Sequence, residues 1–527
     1  MTQRTWPRFR IMFLSPFLSA VLVFSPWSGV QAQSNAPRPE ALVVYPEGAV
    51  DVRHLPPPAE ARMGGNIPRH FPDLQLLIQH KEGLKTKGPE APPAPAPSPL
   101  SVLPGGTSPS VTTSTIGLRQ SESGGFYPPD TQVAAGPGHI VEAVNLEGRI
   151  WDKSNLAQPV LTFNLCTFFL LPNCNFVSDP KVRFDPVSGR WFIVLITYKS
   201  PTGTWKLAVS QSGDPTGIFF VYTIRSARGT FPDFPAVGMS QDKIVLTGNA
   251  FSTSGFFLGT EFVVLNKSQL LAGTTVNGQF YPPPQGLFTI QPAFSLPDST
   301  GTVISTVYMA AVDFNSATSV RIWQVTGIPG VGSGATVTVA GDLTIPTLSS
   351  PPNAQQLGTT ALIQTNDNAL LDAVYRNGSL WVSANSACTP PGDSAVRACL
   401  RLMQILTSGG LSLNQASDFG TVGNYYYYPA IQIDSKDTLV TVFSGSSAST
   451  YASVYASGQL AGATNTLGVP VLFKAGETSY TPNRWGDYSG AGIDPVDQTK
   501  VWVAGEYALN NGSGSSEWGT AIAEVGF

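Results

Sequence analysis

Histidine is nearly absent from this chain of 527 residues: His54, His70, His80 and His139 are the four present. Only His139 falls where strand patterning is regular, so a multi-histidine metal site is excluded and a Ser-His-Asp triad or Cys-His pair has one histidine to draw on. His139 stands just before an apolar strand, where a turn or packing role accounts for it. Charge is also scarce, at 12% of residues with a formal net of -4. With neither a basic stripe nor an acidic tail, nucleic acid is excluded as an expected partner. No segment approaches the roughly 20 apolar residues that a spanning helix needs, so no membrane span is expected. Long stretches rich in Ala, Leu, Glu and Lys are missing, whereas glycine (52) and proline (45) are abundant. That balance favours many short strands joined by turns.

Cysteine is limited to Cys166, Cys174, Cys388 and Cys399. Two close pairs suggest two local disulfides, each stapling one loop, and their spacing does not suit zinc.

The chain opens with Arg4, Arg8 and Arg10, an apolar stretch from Ile11 to Val23, and a small-residue site at Val30-Gln31-Ala32. This order predicts a secretory signal peptide over residues 1–32 and a secreted or periplasmic protein. Residues 33–112 carry proline clusters at Pro56-Pro57-Pro58 and from Pro89 through Pro99. Proline at that density removes backbone donors, so a largely disordered linker or stalk is expected there.

From residue 113 a phrase recurs: an acidic residue, an extended apolar run, a polar turn, and a second apolar run often carrying Trp. It runs from Asp130 to Val141, from Asp179 through Asp185 to Trp191, from Asp233 through Asp242 to Val245, and from Asp487 through Asp494 to Trp502. Asp372 and Tyr428 mark further units. The interval from Asp233 to Asp372 is long enough for two, the hidden one starting near Pro292-Ala293-Phe294. Seven units over residues 130–527 average about 57 residues each, close to a four-stranded blade. The expected fold is therefore all-β: a seven-bladed β-propeller over residues 113–527. Ser114 to Gln120 would complete the last blade beside Gly519 to Val525, because closure removes the sheet edges.

On Pro128-Pro129-Asp130-Thr131, Asp179-Pro180 to Arg190-Trp191, Gly213-Asp214-Pro215-Thr216-Gly217 and Arg484-Trp485-Gly486-Asp487-Tyr488-Ser489, the chain resembles a family of exported bacterial β-propeller proteins. That family has no established activity, so the resemblance implies a fold and no catalytic residues. A looser likeness is to sialidase-type propellers, whose Ser-x-Asp-x-Gly-x-Thr-Trp turn is nearest to Ser212 through Phe219. The match has one residue too many between Asp and Gly and lacks Thr-Trp, which argues against sialidase activity.

The acidic anchors Asp130, Asp179, Asp233, Asp372 and Asp487 lie near the starts of innermost strands, which in propellers crowd around one mouth of the central channel. Convergent carboxylates either cap turns, bind a ligand or a cation such as Ca²⁺, or act as acid and base. No cofactor is required by the sequence. Arg484, beside Asp487, is suited to an acidic group. In Tyr425-Tyr426-Tyr427-Tyr428, four consecutive aromatics place two on each face of a strand, which leaves Tyr425 and Tyr427 as one pair able to stack on a sugar. Asp185, Asp242, Asp434, Asp494 and Asp497 fall in short turns and are expected to serve them. Trp191, Trp381 and Trp502 recur at a packing position. The sequence reading is a binding or surface-interaction module for glycans or another exported protein. The alternative is a carbohydrate-active hydrolase or lyase using carboxylates, Tyr and Arg at the channel mouth.

Overall fold

The computed structural model describes residues 39–57, 101–102, 105–172, 176–199, 201–252, 255–283, 288–313, 317–482 and 484–527. Its strands group into seven antiparallel four-stranded blades that follow one another along the chain, with Phe294–Ser295 joining the inner strands of the third and fifth by parallel pairing. Blade 1 comprises Gln132–Ala135, His139–Val144, Glu147–Asp152 and Leu161–Asn164, and blade 2 Val177–Asp185, Arg190–Lys199, Thr202–Ser210 and Ile218–Arg225. Blade 3 runs from Thr230–Met239 through Lys243–Ser252 and Phe257–Asn266 to Val276–Tyr281. Blade 4 starts at Gln291–Pro292, as the hidden unit should, and continues with Val307–Val312, Ser319–Ile328 and Val331–Thr344. Blade 5 holds Leu370–Arg376, Ser379–Cys388, Arg397–Leu406 and Ser412–Phe419, and blade 6 Asn424–Ile433, Leu439–Ser447, Thr450–Gln459 and Val471–Lys474.

Blade 7 takes three strands from the C-terminal end, Gly490–Ile493, Lys500–Asn510 and Ser516–Gly526, and its fourth, Ser110–Arg119, from the N-terminal side. The register pairs Ala521 with Ile116 and Ala523 with Ser114, which is the expected clasp. Blades 7 and 1 meet closely at their inner strands. A Cβ on Gly490 would lie 2.5 Å from the backbone nitrogen of Val133, so only glycine fits this approach.

The reason for this architecture is legible in each blade. The strands nearest the channel, the second of each blade included, are buried on both faces by neighbouring blades, so they carry near-continuous apolar runs such as Ile244, Val245 and Leu246, all at 0% exposure. Turn acids sit where expected: Asp434 accepts N–H bonds from Lys436 and Thr438, Asp185 from Val187 and Ser188, and Asp494 from Val496. Such Asx bonds replace strand pairing at the reversal.

Part of the N-terminal segment departs from a stalk. Glu40–Val44 pairs with the outer strand of blade 3, and Pro46–Asp51 with that of blade 2. Both cover exposed edges and bury Val44, Val50 and Val52, which a proline count does not register. The predicted signal peptide and residues 58–100 lie outside the described residues. Cys388 and Cys399 form a disulfide across the second and third strands of blade 5. Cys166 is disulfide-bonded as well, and Cys174 lies outside the described residues. Among the described residues, no helix is long and apolar enough to cross a membrane.

Candidate functional site at the channel mouth

The inner strands of five blades contain, or closely follow, a non-glycine residue with left-handed backbone: Asp130 (φ 54°), Asp179 (φ 54°), Phe234 (φ 56°), Thr289 (φ 51°) and Tyr428 (φ 58°), with Phe234 and Tyr428 at breaks in the pairing register. Aspartate tolerates this region, whereas Phe, Thr and Tyr need surroundings that hold them there. Three such holds come from asparagines on the preceding blade. Asn145 Oδ1 accepts the N–H of Asp179 (2.8 Å), Asn249 Oδ1 that of Thr289 (2.8 Å), and Asn385 Oδ1 that of Tyr428 (2.7 Å). Each asparagine ends the same apolar run in a second strand, and each ties an odd-numbered blade to the even-numbered one after it. Glu506 occupies that place in blade 7 and accepts the N–H of Gly486 at 2.7 Å. Sequence reasoning missed this set, although a polar residue recurring after Ile140–Val144, Ile244–Gly248 and Leu380–Ala384 is a visible signal.

The acidic anchors do converge. Asp130 accepts from Asn145 Nδ2 at 2.6 Å and from the backbone N–H of Asp487 at 3.1 Å. Asp487 in turn accepts from Arg484 at 2.8 Å and from Asn366 Nδ2 at 2.9 Å. Tyr488 donates its hydroxyl to Asp179 at 3.1 Å, and its ring lies 2.9 Å beneath the Lys181 ammonium. Arg183 pairs with Asp372 at 3.2 Å, joining blades 2 and 5, while Asp372 also accepts the N–H of Ile431. Asp233 is buried next to Phe234, whose ring packs 4.5 Å from that of Tyr488. Lys181 and Arg183 alternate along one strand and so share a face, while Asp179 precedes them at a bulge in the same strand.

The tyrosine run does not join this cluster as expected. Its strand is the innermost of blade 6, enclosed on both faces, so no pair is exposed and all four rings are buried. Tyr425 stacks under Arg397 at 4.9 Å and Tyr427 donates to Ser446. Tyr428, instead, reaches the mouth, where it donates to the carbonyl of Gln364.

That carbonyl belongs to the connection between blades 4 and 5, residues 345–369, which packs onto the mouth. Gln356 and Tyr480 exchange two hydrogen bonds, at 2.8 and 2.7 Å. Ala354 and Ile363 pair with one another and pack in one apolar cluster with Phe234, Tyr428, Trp485 and Tyr488. Beneath this cover the five anchors are between 2% and 7% exposed.

Burial governs the protonation of the cluster. It pushes the Asp130 carboxyl up to about 8, reinforced by the charges of Asp179 and Asp487. It lowers the Lys181 ammonium to about 7 against the pull of Asp179. Burial also raises Glu506 well above the usual carboxylate range. The mouth therefore holds neutral acids beside compensated charges. Among the described residues, no three His, Cys, Asp or Glu side chains are grouped to hold a metal ion.

Fold and site together define a closed seven-bladed β-propeller with a covered, internally paired polar channel mouth. No protein-family model and no curated protein matches the chain. Among solved structures it is similar to a protein of unknown function from Dyadobacter fermentans, at 14% identity over 79% of this chain and 99% of that one, with a TM-score of 0.37. It is similar to a Trypanosoma rangeli sialidase in complex with the inhibitor DANA at 10% identity, over 65% of this chain and 54% of the sialidase, with a TM-score of 0.33. Drosophila Plexin A in complex with Semaphorin 1b is similar at 8% identity, over 80% of this chain and 88% of that one, with a TM-score of 0.36. Similarity at this level adds nothing to the blade count read from the sheets themselves.

Proposed function

We propose that the chain is an exported β-propeller that acts as a non-catalytic binding or surface-interaction module, for glycans or another exported protein. One observation carries this reading: the two arginines at the mouth are spent on its own carboxylates. Asp487 holds Arg484, Asp372 holds Arg183, and the connection over residues 345–369 covers them. Glycoside cleavage requires two carboxylates facing one another across a bound sugar, with room for it. Carboxylates that fix blade geometry instead make a rigid scaffold, whose binding surfaces lie elsewhere. The disulfide and the resemblance to an exported propeller family support the address. On this reading binding needs no calcium, which the chelator arm of the test below checks.

The hydrolase alternative is favoured by one feature, a proton-holding Asp130 close enough to Asp179 for their charges to couple. Incubating the full chain with a polysaccharide panel, with and without Ca²⁺, and scoring retained and shortened chains by mass spectrometry separates the two. Retention of intact chains, unchanged by chelator, is the expected result. Shortened chains that disappear in Asp130→Asn and Asp179→Asn would replace the module with an enzyme.

A further inference from the structure

On the face opposite the mouth, a cleft of about 240 Å³ opens between blades 5 and 6. It is smaller than the pockets that take drug-sized ligands, and suits a compact polar molecule. Its lining includes Arg376, Asn377, Trp381, Asp437 and Gln459.

Two of these side chains are anomalous. Arg376 is 2% exposed, and no carboxylate among the described residues lies within ion-pair distance of it. The other buried arginines, Arg149 and Arg401, are paired with Glu122 and Asp418. Arg376 instead donates to Gln498 Oε1 at 3.0 Å and more distantly to the carbonyl of Ile433, while its Nε has no partner. Gln459 is 4% exposed; its amide nitrogen is fixed on the carbonyl of Ala463 at 2.6 Å, and its Oε1 has no partner. A buried polar atom without a partner costs free energy, and the two residues that carry them line one cavity.

The free groups are complementary in kind: a donor on a cation and an acceptor on an amide. Asp437, held by Asn377 Nδ2 at 2.6 Å, adds carboxylate acceptor capacity at the rim, and it offsets the charge of Arg376. A sugar hydroxyl is at once donor and acceptor, so a ring bearing several satisfies such a mixed set without bringing net charge. Trp381 supplies the apolar wall. The two tryptophans at equivalent positions are otherwise engaged, Trp191 donating to Gly213 O and Trp502 to Asp494.

We infer that this cleft is a saccharide subsite that takes one neutral sugar residue, held by Arg376 and Gln459 against Trp381. The ligand class rests on the binding-module reading; the site itself rests on the cavity and its two orphan groups.

The test uses the full chain, with calorimetry and the Trp381 indole N–H resonance, assigned with Trp381→Phe. The probes are glucose, galactose, N-acetylglucosamine and glucuronate. At least one neutral sugar is expected to bind and to shift that resonance, and Gln459→Met to weaken it about tenfold while leaving the melting temperature near wild type. Arg376→Lys, which keeps the charge and loses the Nε donor, should weaken it comparably. Binding that Gln459→Met leaves intact would overturn the cleft while leaving the module reading in place. Stronger binding of glucuronate than of every neutral sugar would overturn the assignment of a neutral ligand. No shift with any probe would overturn the subsite, and the polysaccharide retention experiment would still decide the module.

Discussion

Asn145 shows how much one short polar side chain does in this ring. Its amide accepts the N–H of Asp179, a residue with left-handed backbone, and donates to Asp130 and to the carbonyl of Pro128. Asn145→Ala strands the N–H of Asp179 in a buried setting and removes a donor from Asp130. The expected loss is about 2–3 kcal/mol of unfolding free energy, read by urea denaturation of the full chain. A loss below about 0.5 kcal/mol, the level of an ordinary surface change, would show that water replaces the latch. Asn145 and its counterparts Asn249 and Asn385 were legible as a recurrence at the end of an apolar run, but not as a connection. The N–H groups they accept from belong to the next blade, 34 to 43 residues onward.

At the scale of elements, the connection over residues 345–369 decides what kind of site the mouth is. Sequence placed Asp130, Asp179 and Asp487 there from the repeat alone, and they do gather around Arg484 and Tyr488. The cover was not legible, because Gln356 and Gln364 lie in a stretch without strand periodicity and act through backbone contacts to Tyr480 and Tyr428. Replacing residues 350–363 by a glycine-serine linker of the same length admits water to the cluster. The Asp130 carboxyl, held up at about 8 mainly by burial, should then fall toward its ordinary value near 4, observed by carboxyl carbon NMR titration. A carboxyl that stays near 8 would assign the shift to Asp179 and Asp487 rather than to the cover.

For the whole molecule, the clasp and the buried acids set stability. Ser110–Arg119 is the fourth strand of blade 7, and without it the ring has an open edge. A chain beginning at residue 120 is expected to lose its single cooperative melt; a retained sharp transition would show that blade 7 closes with three strands. Acids raised by burial dominate the pH dependence. Asp130 at about 8, Glu147 at about 7 and Glu261 at about 7 keep protons in the folded chain that the unfolded chain releases near pH 4. Their contribution is therefore fully present below about pH 4 and is lost as pH rises through 7 to 8. Lys181, lowered to about 7, acts in the opposite sense only above that pH. The melting temperature should be higher at pH 5 than at pH 8 by scanning calorimetry. A rise over that interval would mean that these acids ionise in the folded chain.

The sequence by itself determined the blade and its number, because a repeating unit with alternating turn acids and apolar strands can bury its faces only by stacking on copies of itself. It also determined the clasp, since a closed ring needs a fourth strand for its last blade and Ser114–Gln120 was strand-like and unassigned. The fate of Tyr425 and Tyr427 was decided only by tertiary structure: a strand enclosed by blades on both sides has no exposed face, whatever its own pattern. The cover over the anchors and the cleft beside Arg376 were decided there too. Both arise from contacts between segments far apart in the chain, which no local periodicity encodes.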